Sequence, residues 1–482
     1  MREGILLVEL PPWDPRTPPL GIAYLASYLQ SRGIEVDVFD LNIEMYNSTF
    51  SGNRKGWGNE DYHWWYNNNS GQKYSELLDA YAERILSFNR RIIGLSATLP
   101  SLAFMNLLLP RIRNRSKDAL IIVGGPATFF KKSRLDYLDR KSTDYLITGD
   151  GEETLCRLLK KIQGGKSLSF LSRLAWRVWK DDLFDRTVCI RGRTIMDLDS
   201  LPLPTFEEFD LSRYTEGTLS TDFTLPLIFS KGCTRHCTFC SDRVLSNPYR
   251  CRKPEGVFNE MKTQVKKYHN RCFRLNDLSF NANPIFLDKL CDLIIGEGLI
   301  AKWYGQAQVR PDTDKKLFAK LKKAGCAQFS LGLESFSNHV LSLMGKGYTA
   351  EAASAFLKAS KEAGIDNHIA IIVGYPGETE DDFNETLKYL KANISYIDRV
   401  CSLNICGMPA GSTLSEDPQK YDYFFGREDW VTTDNTNTYR VRKRRYNQVI
   451  EFCQANNIAI DASLDLDDFE EYKRNLRNPT HA

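Results

Sequence analysis

The residues with the most chemical potential form one short run, Lys231-Gly232-Cys233-Thr234-Arg235-His236-Cys237-Thr238-Phe239-Cys240, whose cysteines are spaced CxxxCxxC. Three soft thiolates this close together suit an iron–sulfur cluster. In a four-iron cluster three protein ligands leave one iron open. An open position is what metal catalysis requires, whereas a structural site is closed by four ligands. Taken by themselves, the residues also admit a zinc site completed by His236, or three core cysteines.

The elements that must carry this run are legible in the hydrophobic pattern. Strands are expected at Ile5 to Leu10, Val36 to Asp40, Ile92 to Ala97, Leu120 to Val123 and Tyr145 to Thr148. Between the first two, Ile22, Leu25, Ala26 and Leu29 recur at helical spacing. This rhythm predicts an α/β fold with a doubly wound, Rossmann-like sheet over residues 1–165, whose ligands lie beyond the carboxyl ends of the strands. Those ends read Pro11 to Leu20, Ser96 to Ser101, Gly124-Gly125-Pro126 and Gly149-Asp150-Gly151-Glu152. Residues 166–224, with Leu201-Pro202-Leu203-Pro204, read as a connector. A second series, at Leu227 to Ser230, Phe273 to Asn276, Trp303 to Val309, Gln328 to Leu331, His368 to Val373 and Val400 to Asn404, predicts a parallel (βα)6 partial TIM-type barrel over 225–405. Residues 406–482 read as an irregular C-terminal extension, with a short helix after the basic run Arg440 to Arg445.

Composition sets limits on function. The 482 residues are 42% hydrophobic and 26% charged with a net charge of +3, which excludes a disordered polymer and gives no global argument for nucleic acid. No apolar run approaches the ~20 residues of a membrane span. Met1-Arg2-Glu3-Gly4 leads directly into a strand without a secretory signal. A cytoplasmic location is expected, where the 12 cysteines stay reduced. Cys251, Cys272, Cys291 and Cys326 read as buried apolar residues, while Cys401 and Cys406 flank the last barrel strand, where a thiol could reach a site. The aromatic stretch Trp57 to Tyr66 reads as packing, and Arg440 to Arg445 as a solvated helix face.

The cysteine run resembles that of the radical S-adenosylmethionine (SAM) enzymes. Arg310, Gly332-Leu333-Glu334-Ser335, Lys346-Gly347 and Gly374-Tyr375-Pro376-Gly377-Glu378-Thr379 follow in the order seen in that family. The resemblance implies a 4Fe-4S cluster on Cys233, Cys237 and Cys240, its open iron chelated by the amino and carboxylate groups of SAM. It implies SAM contacts from Phe239 near the adenine and from Asn276, Arg310, Ser330, Glu334 and Gly374. One departure is the Gly-Gly-Glu stretch after the second barrel strand, which here is Asn276-Asp277.

The first domain, with Pro18-Pro19-Leu20-Gly21 and its two glycine-rich strand ends, resembles the cobalamin-binding domain fused to many radical SAM enzymes. That implies cobalamin contacts at Pro12, Leu20, Ser96, Thr98, Gly124, Gly125, Pro126, Gly149, Gly151 and Glu152. Corrinoid methyltransferases ligate cobalt through a histidine in a DxHxxG loop, which here holds Asp14-Pro15-Arg16 and no histidine. The resemblance then implies a cobalamin whose lower face is open or watered. Together these likenesses imply a class B radical SAM methyltransferase. It would act on an unactivated carbon of a small-molecule, natural-product or peptide substrate, with flavodoxin or ferredoxin as external electron donor. A non-methylating cyclisation, rearrangement or oxidation would carry the same motifs. From another class, a cobalamin or iron–sulfur sensor is the alternative, which absence of SAM cleavage would favour.

Overall fold

Short runs of aliphatic and β-branched residues become parallel strands, and the amphipathic segments between them become the covering helices. The computed structural model describes residues 2–49, 57, 75–129, 139, 141–164, 187–214, 223–242, 247–426 and 429–461. Two compact units divide the chain, one of them Met1–Thr224 and the other Leu225–Ser463.

In the first unit the strands are β1 (Arg2–Glu9), β2 (Val36–Asp40), β3 (Arg90–Ser96), β4 (Leu120–Gly124), β5 (Tyr145–Thr148) and β6 (Val188–Arg191). They lie in the order β2-β1-β3-β4-β5-β6, every pair parallel. Chain direction reverses beside β1, which makes the carboxyl ends of β1 and β3 the topological switch point where such sheets take ligands. Ile5, Leu6, Val8, Ile93, Ile121 and Val123 are wholly buried, so the central strands are covered on both faces. Strand β6 corrects the reading of 166–224 as a connector. It is only four residues long, Val188-Cys189-Ile190-Arg191, too short to show a periodicity, yet it pairs with β5 from Tyr145↔Val188 to Thr148↔Arg191.

In the second unit the sheet order is β7-β10-β11-β12-β13-β14-β17, again all parallel. Its strands are β7 (Leu225–Leu227), β10 (Cys272–Leu275), β11 (Lys302–Ala307), β12 (Cys326–Glu334), β13 (Asp366–Val373), β14 (Arg399–Ile405) and β17 (Ala459–Ile460). Two small antiparallel ribbons accompany it, β8 (Ser230–Lys231) with β9 (Arg250–Cys251) and β15 (Tyr423–Phe425) with β16 (Trp430–Thr432). An aromatic core fills the sheet: Phe229, Phe280 and Trp303 meet edge-on, and Phe318, Phe329 and Phe356 continue the stack.

The six expected strands are present, and residues after 405 correct the irregular reading. Tyr439–Ala455 is a helix of 17 residues, and β17 adds a seventh strand beside β14. A short helix is expected after the basic run, and its first turns are missed because the buried stripe reads Tyr439, Arg442, Arg445, Tyr446, Val449 and Cys453, so arginines occupy positions that apolar residues normally mark. The solvated-face reading of Arg440 to Arg445 is therefore wrong for Arg442 and Arg445, which are 0% and 2% exposed. Residues Gly58 to Tyr66 of the aromatic stretch lie outside the described residues. Trp57 itself is packed, edge-on to Tyr46.

At the amino edge of the first sheet, Arg113 and Asp144 form a buried pair at 2.6 Å, and the same carboxylate oxygen accepts the Ile121 N–H at 2.8 Å. Arg113→Met would leave the Asp144 charge buried without its counterion. A loss of about 3–5 kcal/mol in urea unfolding is expected, and a loss within experimental error would contradict this reading of the pair.

Candidate active site

The cysteine run leaves the second sheet just after β7 and turns at Gly232, whose φ of +93° favours glycine. Its root is held by Asp277. One carboxylate oxygen accepts the Phe229 N–H at 2.9 Å, and the other accepts both the Ser230 N–H and the Ser230 hydroxyl at 2.6 Å. Its middle is held by Thr238. The Thr238 N–H donates to the Met344 carbonyl at 3.0 Å, and its carbonyl accepts the Leu414 N–H at 2.9 Å and the Thr413 hydroxyl at 3.0 Å. The Thr238 hydroxyl meets the Tyr375 hydroxyl at 2.7 Å and the Leu343 carbonyl at 3.3 Å.

Cys233, Cys237 and Cys240 are half-buried, whereas Cys272, Cys291, Cys326, Cys406 and Cys453 are buried in the core. Cys406, considered as a reactive thiol, instead packs with Met344, Tyr375, Leu414, Tyr423 and Trp430, and burial pushes its thiol far up. Cys251, expected in the core, is half-buried on β9 opposite Ser230. Among the described residues no three His, Cys, Asp or Glu side chains converge on a single ion position, which a mononuclear zinc site would need. A cubane asks for one thiolate per iron, and three accessible thiols on a pinned loop fit that demand.

Beside the loop lies a buried charged group. Lys346 Nζ donates to the Gly332 carbonyl at 2.6 Å, lies 3.6 Å from Glu334 Oε1 and stands 5.5 Å over the Phe239 ring. Burial disfavours this ammonium, but Tyr348, Glu334, Cys237 and Cys240 outweigh burial and hold it above the ordinary lysine range. The Cys237 thiol is pushed up by burial, against the opposing pull of Lys346. Glu334 closes β12 in the left-handed region at φ 71°, a conformation that costs a non-glycine residue energy and recurs at functional sites. The structure thus brings together Cys237, Phe239, Glu334 and Lys346. Sequence reasoning quoted Lys346 without a role, and assigned none to Asp277 or Thr238, because burial and partners are not carried by residue type.

Two of the other expected SAM contacts, Arg310 and Gly374, have protein partners. Arg310 spends its fork on Asp312, at 2.7 and 3.2 Å, and on the Ala282 carbonyl at 2.7 Å. Asn276 is exposed beside the buried Asp277, and Ser330 is half-buried within β12. The Gly374 N–H donates to Glu378 at 2.5 Å, its carbonyl accepts from Asn437 at 3.1 Å, and the Arg442 stem covers it.

In the first unit the strand ends form a row, with Glu9 in register with Asp40 on one side and Ser96 on the other, and Ser96 with Gly124. Beyond it, Gly125, Pro126 and Gly149 are exposed, Thr98, Pro12, Leu20 and Glu152 are buried, and Gly151 is half-buried. Gly125 is required there: at φ +95°, a Cβ would come within 2.6 Å of the Ala97 carbonyl. A surface this poor in projecting side chains suits a broad, flat macrocycle. The loop after β1 is set by Asn42, which bonds both Trp13 backbone groups and takes the Trp57 indole N–H at 2.7 Å. Asp14 in that loop pairs with Arg16.

Burial pushes Asp277 and Asp40 up to about 6, although Ser230 and Tyr214 donate hydrogen bonds to them, and it raises Glu9 as well. Folded values above the unfolded value mean that this stability is present below about pH 4 and lost as pH rises through 6. His368, lowered by burial, works in the opposite sense. The urea midpoint should therefore rise as pH falls from about 7.5 to 5.5, and Asp277→Asn should flatten the rise. A midpoint that falls over this window would contradict the assignment. Thr238→Val removes two hydroxyl contacts, each worth about 1 kcal/mol, and should speed iron loss to a chelator several-fold while the fold survives.

Residues 227–390 match the Radical SAM superfamily, and residues 14–159 match the B12 binding domain. An uncharacterized methyltransferase of Pyrococcus horikoshii is 24% identical over 375 residues, covering 78% of this chain and 73% of that protein. The anaerobic magnesium-protoporphyrin IX monomethyl ester cyclase of Cereibacter sphaeroides is 26% identical over 312 residues, 64% of this chain, which spans only 50% of that relative's length. The radical S-adenosylmethionine methyltransferase TsrM from Kitasatospora setae, in a structure with cobalamin and a 4Fe-4S cluster bound, shares the fold. Its TM-score is 0.62 at 16% identity, over 86% of this chain and 74% of that one. Among the described residues no helix is long and apolar enough to cross a membrane. With both domain matches on one chain, the protein belongs to the radical SAM superfamily and is one of its cobalamin-dependent enzymes, with a 4Fe-4S cluster, SAM and cobalamin as cofactors.

Proposed function

We propose that the protein methylates an unactivated carbon of a small-molecule, natural-product or peptide substrate, and that Cys233, Cys237 and Cys240 hold the cluster. The observation that carries the site assignment is the grouping of three accessible thiols on a loop fixed by Thr238 and Asp277, next to the buried Lys346–Glu334 pair. When bound, the reduced cluster and SAM supply a 5′-deoxyadenosyl radical, and cobalamin supplies the methyl group.

The chain's own residues bind, orient and shield. Cysteine ligates as thiolate, and the Lys346 ammonium offsets the charge that accumulates when neighbouring thiols lose their protons. Lys346 is also better placed than Arg310 to meet a carboxylate beside the cluster, because Arg310 is engaged by Asp312. Glu334, held beneath Gly332 and against Lys346, offers an acceptor to an ammonium group. Phe239 packs against the apolar cluster of Val340, Met344, Tyr375 and Trp430, which keeps water from that side of the loop. At the carboxyl edge of the first sheet, Gly124, Gly125, Pro126, Gly149 and Gly151 would lie under the corrin, with Pro12, Leu20, Ser96, Thr98 and Glu152 around it. No histidine from the loop after β1 would reach the cobalt.

A second reading rests on a specific observation. The cyclase of Cereibacter sphaeroides matches this chain at a comparable identity, over a shorter stretch, to the methyltransferase of Pyrococcus horikoshii, so the same cofactors could start a cyclisation, rearrangement or oxidation without methyl transfer. Product mass separates the two. Anaerobic, reconstituted protein given SAM, cobalamin and a strong reductant should release 5′-deoxyadenosine, and Cys237→Ala should abolish it. Turned-over substrate should gain the mass of one methyl group. Release of 5′-deoxyadenosine with a mass change that contains no methyl would support the second reading, and an unaffected Cys237→Ala variant would contradict the site.

A further inference from the structure

The turn that follows β13, Gly374–Glu378, is held from outside the barrel by arginines of the C-terminal helix. Arg445 Nη1 donates to Glu378 Oε2 at 2.7 Å, and that carboxylate in turn accepts the Gly374 N–H at 2.5 Å. Arg442 stacks on the Trp430 indole at 3.7 Å and donates to the Trp430 carbonyl, to Asp429 and to the Asn437 carbonyl, at 2.8, 3.1 and 3.0 Å. Asn437 passes this on, its amide donating to the Gly374 and Tyr375 carbonyls at 3.1 and 3.0 Å. The Arg442 stem lies so close to Gly374 that a Cβ there would come within 2.2 Å of its Cγ. Tyr375, the next residue, places its hydroxyl 2.7 Å from that of Thr238, between Cys237 and Phe239.

Two wholly buried guanidiniums are a poor way to stabilise a fold. Buried ion pairs roughly break even against apolar side chains of the same volume. Here, moreover, the Nε of both Arg442 and Arg445 is buried without a hydrogen-bond partner. What the forks supply is direction: Arg445 holds the Glu378 carboxylate and carbonyl directly, while Arg442 holds Asp429, Trp430 and Asn437 and reaches the turn through Asn437. Asp429, Trp430, Asn437 and both arginines lie after residue 390, outside the stretch that matches the superfamily, whereas the turn they hold lies within it.

We infer that the helix Tyr439–Ala455 is a positioning element of the cluster site: Arg442 and Arg445 set the geometry of the turn Gly374–Glu378, which through Tyr375 and Thr238 sets the loop that presents the cysteines and Phe239. The inference rests on the assignment of that loop as the cluster and SAM site. Arg442 and Arg445 touch no reacting atom and act through the turn. The helix is therefore part of the active-site scaffold and not an appendage, and shortening the chain before it would remove SAM binding together with the helix.

The test uses the full-length protein as Arg442→Met, Arg445→Met and the double variant Glu378→Gln/Arg445→Met. The double variant removes both buried charges, so it remains informative if a single variant fails to fold. Two measurements are made, SAM affinity of the reconstituted protein by equilibrium dialysis, and hydrogen–deuterium exchange of residues 233–241 before reconstitution. Affinity for SAM should weaken by about tenfold or more, and exchange across the cysteine loop should quicken, while cobalamin content stays at the wild-type level. A merely structural role would lower the melting temperature and leave both readings unchanged at temperatures where the variant is folded. Folded variants with wild-type SAM affinity and wild-type exchange would overturn the inference alone. Wild-type protein that retains its iron and binds no SAM would overturn the underlying site assignment, and the inference with it.

Discussion

The site depends on the hydrogen bonds of one side chain and its peptide groups. Thr238 lies between the second and third cysteines of the run, and its N–H, carbonyl and hydroxyl make five hydrogen bonds. Their partners come from the end of the helix Asn338–Leu343, from the turn after β13 and from the helix Thr413–Glu416. A loop of ten residues would otherwise have wide freedom, and ordering it costs roughly 1–2 kcal/mol per residue in backbone entropy. Because all five partners are protein groups, the fold itself constrains the cysteine loop.

Around this hub the protein accumulates buried charge. Asp277 holds the root of the loop, Lys346 and Glu334 flank it, and Arg442 and Arg445 hold the turn behind it. Each costs desolvation energy, and the apolar sheets with their aromatic core carry the stability that tolerates this expense. Such groups fix direction where packing alone fixes only volume. The first unit follows the same economy at its strand ends, where Glu9, Asp40 and Tyr214 form a buried polar row beside glycine-rich turns.

How much of this could be read in the sequence depended on whether the signal was local. The CxxxCxxC spacing, the glycine-rich strand ends and nearly all the strands announce themselves within a few residues. Strand β6 did not, because four residues are too few to show a periodicity. The helix Tyr439–Ala455 was legible only in its second half, because the inward positions of its first turns hold Arg442 and Arg445, whose partners Asp429, Asn437 and Glu378 are supplied by the fold. That the missing side chain of Gly374 makes room for Arg442 was not legible, because the two are 68 residues apart in the chain. Nor was the pairing of Arg310 with Asp312 or the burial of Lys346 beside Phe239 and Cys237, since residue type does not carry either. Residue type announces chemistry, and only three-dimensional partners decide where it is delivered.

The central claim is that three cysteines hold a cluster with one iron open to SAM. The most direct measurement is pulsed electron–nuclear double resonance on the reduced, reconstituted full-length protein, with SAM isotopically labelled at its amino nitrogen and carboxylate carbon. Hyperfine coupling to both labels is predicted, and it should vanish in Cys240→Ala. Identical spectra with labelled and unlabelled SAM, on protein that retains its cluster, would contradict the account.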